Sequence, residues 1–395
     1  MAKSNYISPS RNPFKSFWMA GFECTDKLNC FGNRVDFLSV TGHLDKLDED
    51  YKNLSLLNIK TVREGIRWSV VESSPYQYNW NDVKKMIRNA NENDIQIVWD
   101  ICHFGFPSDL TPLHPMFARR FAALCSEFMK FYRSIDSNGT LIVTLFNEVS
   151  FLSWLGGDVC GTSPYLRRYG WDVKYQLMKA YIEGIEAIKE IDSNTRFMTT
   201  EPLVNMVPQF SATKQQTREA ERQNESQFEV LEILSGRLCP ELRGKPEYID
   251  IIGCNYYFDN QWVADTREFL SWTNDDHDSR WLPLSTLIIK LFERYQRPIV
   301  LSETSHPGEH RPQWMDFVAR ESKISLEAGV PLWGICWYPI IDRPDWDHLQ
   351  PWHNSGVWDI DNSNNQLIRK LHDPTAEAIL NAQYLLNNIK SGIKI

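Results

Sequence analysis

The chain has 395 residues, 42% of them hydrophobic, and sets 42 Lys+Arg against 51 Asp+Glu for a formal net charge of -9. This supplies ample core for one large domain or two. No block of like charge marks a basic arm or an acidic tail, so nucleic acid and membrane surfaces are not expected partners, and no apolar run approaches the ~18 residues of a membrane span.

Residues 1–15 are polar and broken by Pro9 and Pro13, which predicts a loose N-terminal segment rather than a signal peptide. Ser16 to Cys24 then reads as a first strand with Glu23 near its end. Further strand patterns follow at Thr61 to Trp68, Ile95 to His103, Leu141 to Glu148, Arg196 to Glu201, Tyr248 to Tyr257, Pro298 to Glu303 and Pro331 to Trp337. Helical patterns separate them, clearest at Trp80 to Asn93, Pro115 to Ile135, Trp171 to Ile191 and Arg311 to Ala328. The charged segment 213–235 reads as the solvated face of an outer helix.

Strand and helix alternate through eight repeats, as a single closed eight-fold β/α (TIM) barrel requires. A doubly wound open sheet would usually carry a glycine-rich phosphate turn after its first strand, and none is present. The eight cysteines are scattered without a C-x-x-C pair, so a reduced, cytoplasmic protein without a disulfide framework is expected.

Leu141 to Phe146 is an apolar run that ends abruptly in Asn147 and Glu148, and Pro298 to Ser302 ends likewise in Glu303. Parallel barrel strands expose only their carboxyl ends to chemistry, and two carboxylates at one rim suit acid/base and nucleophilic work on a glycosidic bond. Glu23, Arg63 or Arg67, His103, Glu201, Asn255 with Tyr257, and Trp337 end the other strands. Such groups are costly to bury without partners, which sets this concentration apart from ordinary patterning. Two long connections, Val149 to Gly170 and Phe258 to Pro283, carry aromatics that would serve either as sugar-stacking platforms or as loop cores.

These motifs resemble the clan A retaining glycoside hydrolases, most closely family 1, the β-glucosidase branch. Asn147-Glu148 is similar to that family's Asn-Glu-Pro, and Ile-Val-Leu-Ser-Glu303 to its Ile-Thr-Glu-Asn-Gly strand. The resemblance implies Glu148 as acid/base, Glu303 as nucleophile and Asn147 as a ligand to the sugar 2-hydroxyl. It also implies Arg63 beside the nucleophile, His103 as a sugar contact, and Tyr257, in the segment with Asn255, bonded to the nucleophile. Trp337, Asp345 and Trp346 resemble the end of the eighth strand and its Glu-Trp loop. The sequence departs at Val149, Thr304-Ser305 and Asp345, and Glu23 stands nearest the place of an unmatched first-strand glutamine.

The expectation is a cofactor-free, metal-free retaining β-glycosidase acting on a neutral carbohydrate substrate, since Asp345 would repel a sugar phosphate. An endo-glycanase, a transglycosylase and a carbohydrate-binding barrel without turnover are the alternatives.

Overall fold

The computed structural model describes residues 11–273, 278–364 and 366–390. Eight parallel strands form its centre: β1 (Trp18–Gly21), β2 (Thr61–Gly65), β3 (Gln96–Cys102), β4 (Ile142–Phe146), β5 (Arg196–Phe197, resuming as Glu201–Pro202), β6 (Ile252–Asn255), β7 (Ile299–Thr304) and β8 (Leu332–Trp337). β1 lies between β2 and β8, and the order runs round to β5, whose first half pairs with β4 and whose second half pairs with β6. The main chain changes sides within this break. Met198 N–H donates to Val143 of β4 at 3.0 Å, and Thr199 N–H donates to Ile251 of the β6 segment at 3.1 Å. A bridge between Met198 and Ile251 completes the closure, so the sheet is the barrel that the alternation predicts.

Side-chain alternation builds the interior in layers. Met19, Val98, Ile142, Met198, Ile251, Val300 and Cys336 pack together as an apolar plug. Two residues further along several of the same strands come Gly21, Asp100, Ser302 and Tyr338, so a polar layer lies directly on the plug. Residues between these positions, such as Trp99, Leu301 and Trp337, pack in the outer core beneath the helices.

The helix Phe117–Ile135 buries Phe117, Phe121, Leu124 and Phe128, and Phe121 stacks on Phe146 of β4 with centroids 4.1 Å apart. Each such ring taken from water contributes about 1.5–3 kcal/mol. Gly170–Ile191 packs beside it, and Arg311–Glu327 packs on the last helix, Asp373–Lys390. The Lys214–Glu225 helix buries only Ala220 among its side chains, but the rest of the segment expected to be solvated forms a separate helix, Glu229–Leu234, whose Val230, Leu231, Ile233 and Leu234 are buried in the core.

One polar cluster lies outside the barrel and is buried. His43 Nδ1 is 2.7 Å from Asp50, its Nε2 is 2.8 Å from Glu64 of β2, and Tyr51 donates to Glu64 at 2.7 Å. Arg369 donates to both Asp50 oxygens at 2.8 Å, fastening the strand Ile368–Leu371 to the body.

Residues 1–10 of the expected loose segment lie outside the described residues. Lys15 is tied down, with its ammonium 2.8 Å from Asp94 and its amide donating to Gln96 at 2.8 Å. Trp272 and Trp281 of the long connection pack against Trp314 and Phe317, as loop core. All eight cysteines are free thiols, and no helix among the described residues is long and apolar enough to cross a membrane.

Candidate active site

Arg63 projects from β2 into the polar layer, where its fork is divided among three strand ends. Nη1 donates to Glu303 Oε1 at 2.8 Å and to the Ser302 carbonyl at 2.9 Å; Nη2 donates to Asp100 at 2.7 Å and to Asn147 Oδ1 at 3.0 Å. Burial alone would favour the neutral guanidine, but Asp100 and Glu303 outweigh it and hold the charge firmly. The Tyr257 hydroxyl donates to the other Glu303 oxygen at 2.8 Å, and burial followed by the Glu303 and Glu148 charges keeps that phenol protonated. Glu303 is therefore a buried carboxylate whose two oxygens both accept from fixed donors.

Glu148 occupies a different environment. Its carboxyl accepts from Asn255 Nδ2 at 2.9 Å, while Asn255 Oδ1 accepts from the Ser302 hydroxyl at 2.7 Å. Desolvation, and then the nearby Glu303 charge, push the Glu148 carboxyl well above the usual range, against a smaller opposing effect of the Asn255 bond. The two carboxyl groups thus differ in their partners: Glu303 has a fixed donor on each oxygen, whereas Glu148 accepts from an amide and is pushed toward its protonated form. Shifts of strand register between Cys254 and Asn255, and between Leu301 and Thr304, fall where β6 and β7 deliver Asn255 and Glu303.

His103 sets Nδ1 3.0 Å from Asp100 and Nε2 3.1 Å from Asn147 Nδ2. Because Asn147 Oδ1 accepts from Arg63, its amide nitrogen faces Nε2 of the ring. Tyr338 stacks on the imidazole at 5.6 Å with planes 4° apart, and Arg63 lies 5.1 Å over the Tyr338 ring. Gly21 makes room for that ring: a Cβ there would lie 2.0 Å from Tyr338 Cδ2.

Glu23 is buried on the other side of His103. Its Oε1 accepts from the Thr25 hydroxyl at 2.6 Å and the Tyr338 hydroxyl at 3.4 Å; its Oε2 faces Arg343 Nε at 3.2 Å and Trp346 Nε1 at 3.4 Å. Desolvation raises its pKa, but Arg343, His103 and the Thr25 bonds together prevail, so the carboxyl is held below its ordinary value.

Two expected contacts differ. Trp337 points into the outer core and donates its indole N–H to the Ser355 carbonyl at 2.9 Å; the aromatic of the polar layer is its neighbour Tyr338, because adjacent strand residues face opposite sides. Asp345 accepts from the Asp347 and His348 amides, each at 2.9 Å, so its carboxylate closes a turn while Arg343 and Trp346 reach Glu23. Arg67 pairs with Asp36 and Asp82, away from this network. Asp100, Ser302 and Tyr338 are the members that sequence reasoning overlooked; an aspartate inside the apolar run Ile97 to Cys102 was the available signal for the first.

Cys24, Asp100 and His103 offer ligand atoms within 4.8 Å of one another, a spacing that suits a metal. The Arg63 guanidinium and His103 Nδ1 already occupy Asp100 Oδ2, which sets a fixed cation at that position.

The fold is that of the family 1 β-glucosidases, an α/β eight-fold barrel. The chain superposes on a family 1 β-glucosidase from Thermotoga maritima with a TM-score of 0.74 at 16% identity, covering 95% of this chain and 98% of that one. The Thermotoga maritima β-glucosidase in complex with glucoimidazole gives 0.71 at 16% identity over 88% of each chain. The AHE enzyme from Alicyclobacillus herbarius gives 0.69 at 16% identity over 87% of this chain and 88% of that one. No protein-family model and no curated protein matches the sequence.

Proposed function

We propose that the protein is a retaining β-glycosidase that uses Glu303 as nucleophile and Glu148 as acid/base. The observation that carries this reading is the divided environment of the pair: Arg63 and Tyr257 hold the Glu303 carboxylate, while burial and the Glu303 charge favour the protonated form of Glu148. That division matches the two jobs of a double displacement. Glu303 attacks the anomeric carbon as Glu148 gives its proton to the departing glycosidic oxygen, leaving a glycosyl ester on Glu303. Glu148, now a carboxylate, takes a proton from water, the water oxygen attacks the anomeric carbon, and Glu303 leaves. Two inversions retain configuration.

Asn147, His103, Glu23 and Trp346 contact one another in turn and carry donors and acceptors suited to sugar hydroxyls, and the β-glucosidases of like fold favour a β-linked substrate. Arg343 is paired with Glu23 and so is not free to bind an anionic substituent, which favours a neutral sugar.

Hydrolysis of a panel of 4-nitrophenyl β-glycosides by wild type and by Glu303→Gln tests the reading, with the anomer of the first-formed product followed by NMR. Turnover with retention that falls by several orders of magnitude in the variant is expected. Undiminished turnover by Glu303→Gln, or activity abolished by chelator, would overturn it.

A further inference from the structure

Glu148 opens the helix Val149–Gly157 from a left-handed backbone conformation, φ 45° and ψ 62°, and supplies no side-chain cap of its own. That conformation is strained for a residue with a side chain, and the first amides of a helix lack partners within it. Thr200 and Glu201, where β5 resumes, supply the acceptors. The Thr200 carbonyl accepts from the Glu148 N–H at 2.9 Å, and the Glu201 carboxylate accepts from Val149 N–H at 2.6 Å and Ser150 N–H at 3.1 Å. Three consecutive amides are therefore gripped by two consecutive residues, and Glu201 is buried where it does so.

We propose that Glu201 is a positioning residue for Glu148: it fixes the backbone that aims the acid and adds a second negative charge beside it. This rests on the reading of Glu148 as the acid/base. Around Glu148 stand Glu303 of β7, Arg63 of β2, and Asn255 and Tyr257 at the end of β6. Around Glu201 stand Ser150 and, on the helix Gly170–Ile191, Lys174 and Tyr181. Burial raises the pKa of the Glu201 carboxyl, against the Ser150 and Val149 bonds and the Lys174 charge, and Lys174 is itself paired with Glu229 at 2.6 Å. After desolvation and Glu303, Glu201 is the remaining influence that raises the Glu148 carboxyl. Replacing it with a neutral group moves Glu148 toward ionisation at lower pH.

Acid assistance matters for a poor leaving group and little for a good one, which separates positioning of the acid from general damage. The test compares Glu201→Gln, Glu201→Asp and wild type on the phenyl and 2,4-dinitrophenyl β-glycosides of the preferred sugar, with full pH profiles. Glu201→Gln should lose roughly 10- to 100-fold in kcat/KM on the phenyl substrate, a part of the ~10²- to 10⁴-fold acid contribution, and little on the dinitrophenyl one. Its basic limb should move to lower pH. Glu201→Asp keeps the charge and shortens the reach, so it should lose rate on the phenyl substrate with the limb in place.

Equal losses on both substrates, with an unmoved limb in Glu201→Gln, would reduce Glu201 to a structural residue and overturn the proposal while the glycosidase reading stood. Full activity of Glu303→Gln would remove that reading, and the proposal with it.

Discussion

Arg63 and Glu303 meet at 2.8 Å in a setting where the guanidinium has no exposure and the carboxylate almost none. The same guanidinium serves Asp100 and Asn147, so a single side chain from β2 fixes groups on β3, β4 and β7. Lysine cannot reproduce that fork. Arg63→Lys should lower kcat/KM on 4-nitrophenyl glycosides by roughly 100-fold or more, comparable to loss of a preorganised donor. Activity within a few-fold of wild type would show that the fork is dispensable.

In the proposed mechanism Glu148 must be protonated for the first step, so activity should fall as pH rises through its elevated pKa. The Asn255 amide favours the ionised form and lowers that pKa. Asn255→Ala removes the donor, and the basic limb of kcat/KM should move to higher pH, opposite to the shift expected for Glu201→Gln. A limb that moves in the same direction for both variants would contradict the electrostatic account of Glu148.

His43, Asp50, Glu64 and Arg369 balance as two cations and two anions only while His43 is protonated. Desolvation disfavours that charge, but Glu64 and Asp50 prevail and raise its pKa to about 9 from 6.5. A raised folded-state pKa gives stability that is complete below the unfolded value and is lost as pH rises through the folded value. The difference corresponds to about 3 kcal/mol. Urea unfolding of wild type should therefore weaken between pH 6.5 and about 9, and His43→Gln should lack this component of the slope while being less stable throughout. Parallel pH dependences in the two proteins would rule the cluster out as its source.

Gly21→Ala would drive a methyl group into Tyr338, 2.0 Å from Cδ2, and displace the ring that stacks on His103. Overpacking of this kind costs about 1–3 kcal/mol of stability. Monosaccharide binding, followed by inhibition, should weaken in the folded variant, because Tyr338 also donates toward Glu23. Unchanged inhibition would detach Tyr338 from the sugar site.

The barrel was legible because β-branched runs alternate with helical periods, and each run stops at a polar group. Glu148, Glu303, Arg63, His103, Asn147, Asn255 and Tyr257 could all be singled out for the same reason, and the structure brings them into one network. Trp337 and Tyr338 were harder to order, since both are large aromatics at a strand end and a shift of one residue decides which faces inward. Asp345 looked like a ligand by resemblance, yet the short Asp-Trp-Asp-His turn gives its carboxylate two nearby amides. The part of Glu201 could not be read from sequence, because its partners lie 51 and 52 residues away and are backbone amides, which every sequence contains.

The break in β5 gives the barrel two rulers. Glu148 stands on the strand measured against the first half of β5, and Glu303 belongs to the side measured against the second half. The short way round from acid to nucleophile therefore crosses Met198 to Thr200, where the backbone changes partners. A one-residue insertion or deletion there would shift β4 against β6 and alter the reach between the two glutamates, so the spacing that separates retention from inversion depends in part on a break in the strand that never touches the sugar in the proposed mechanism.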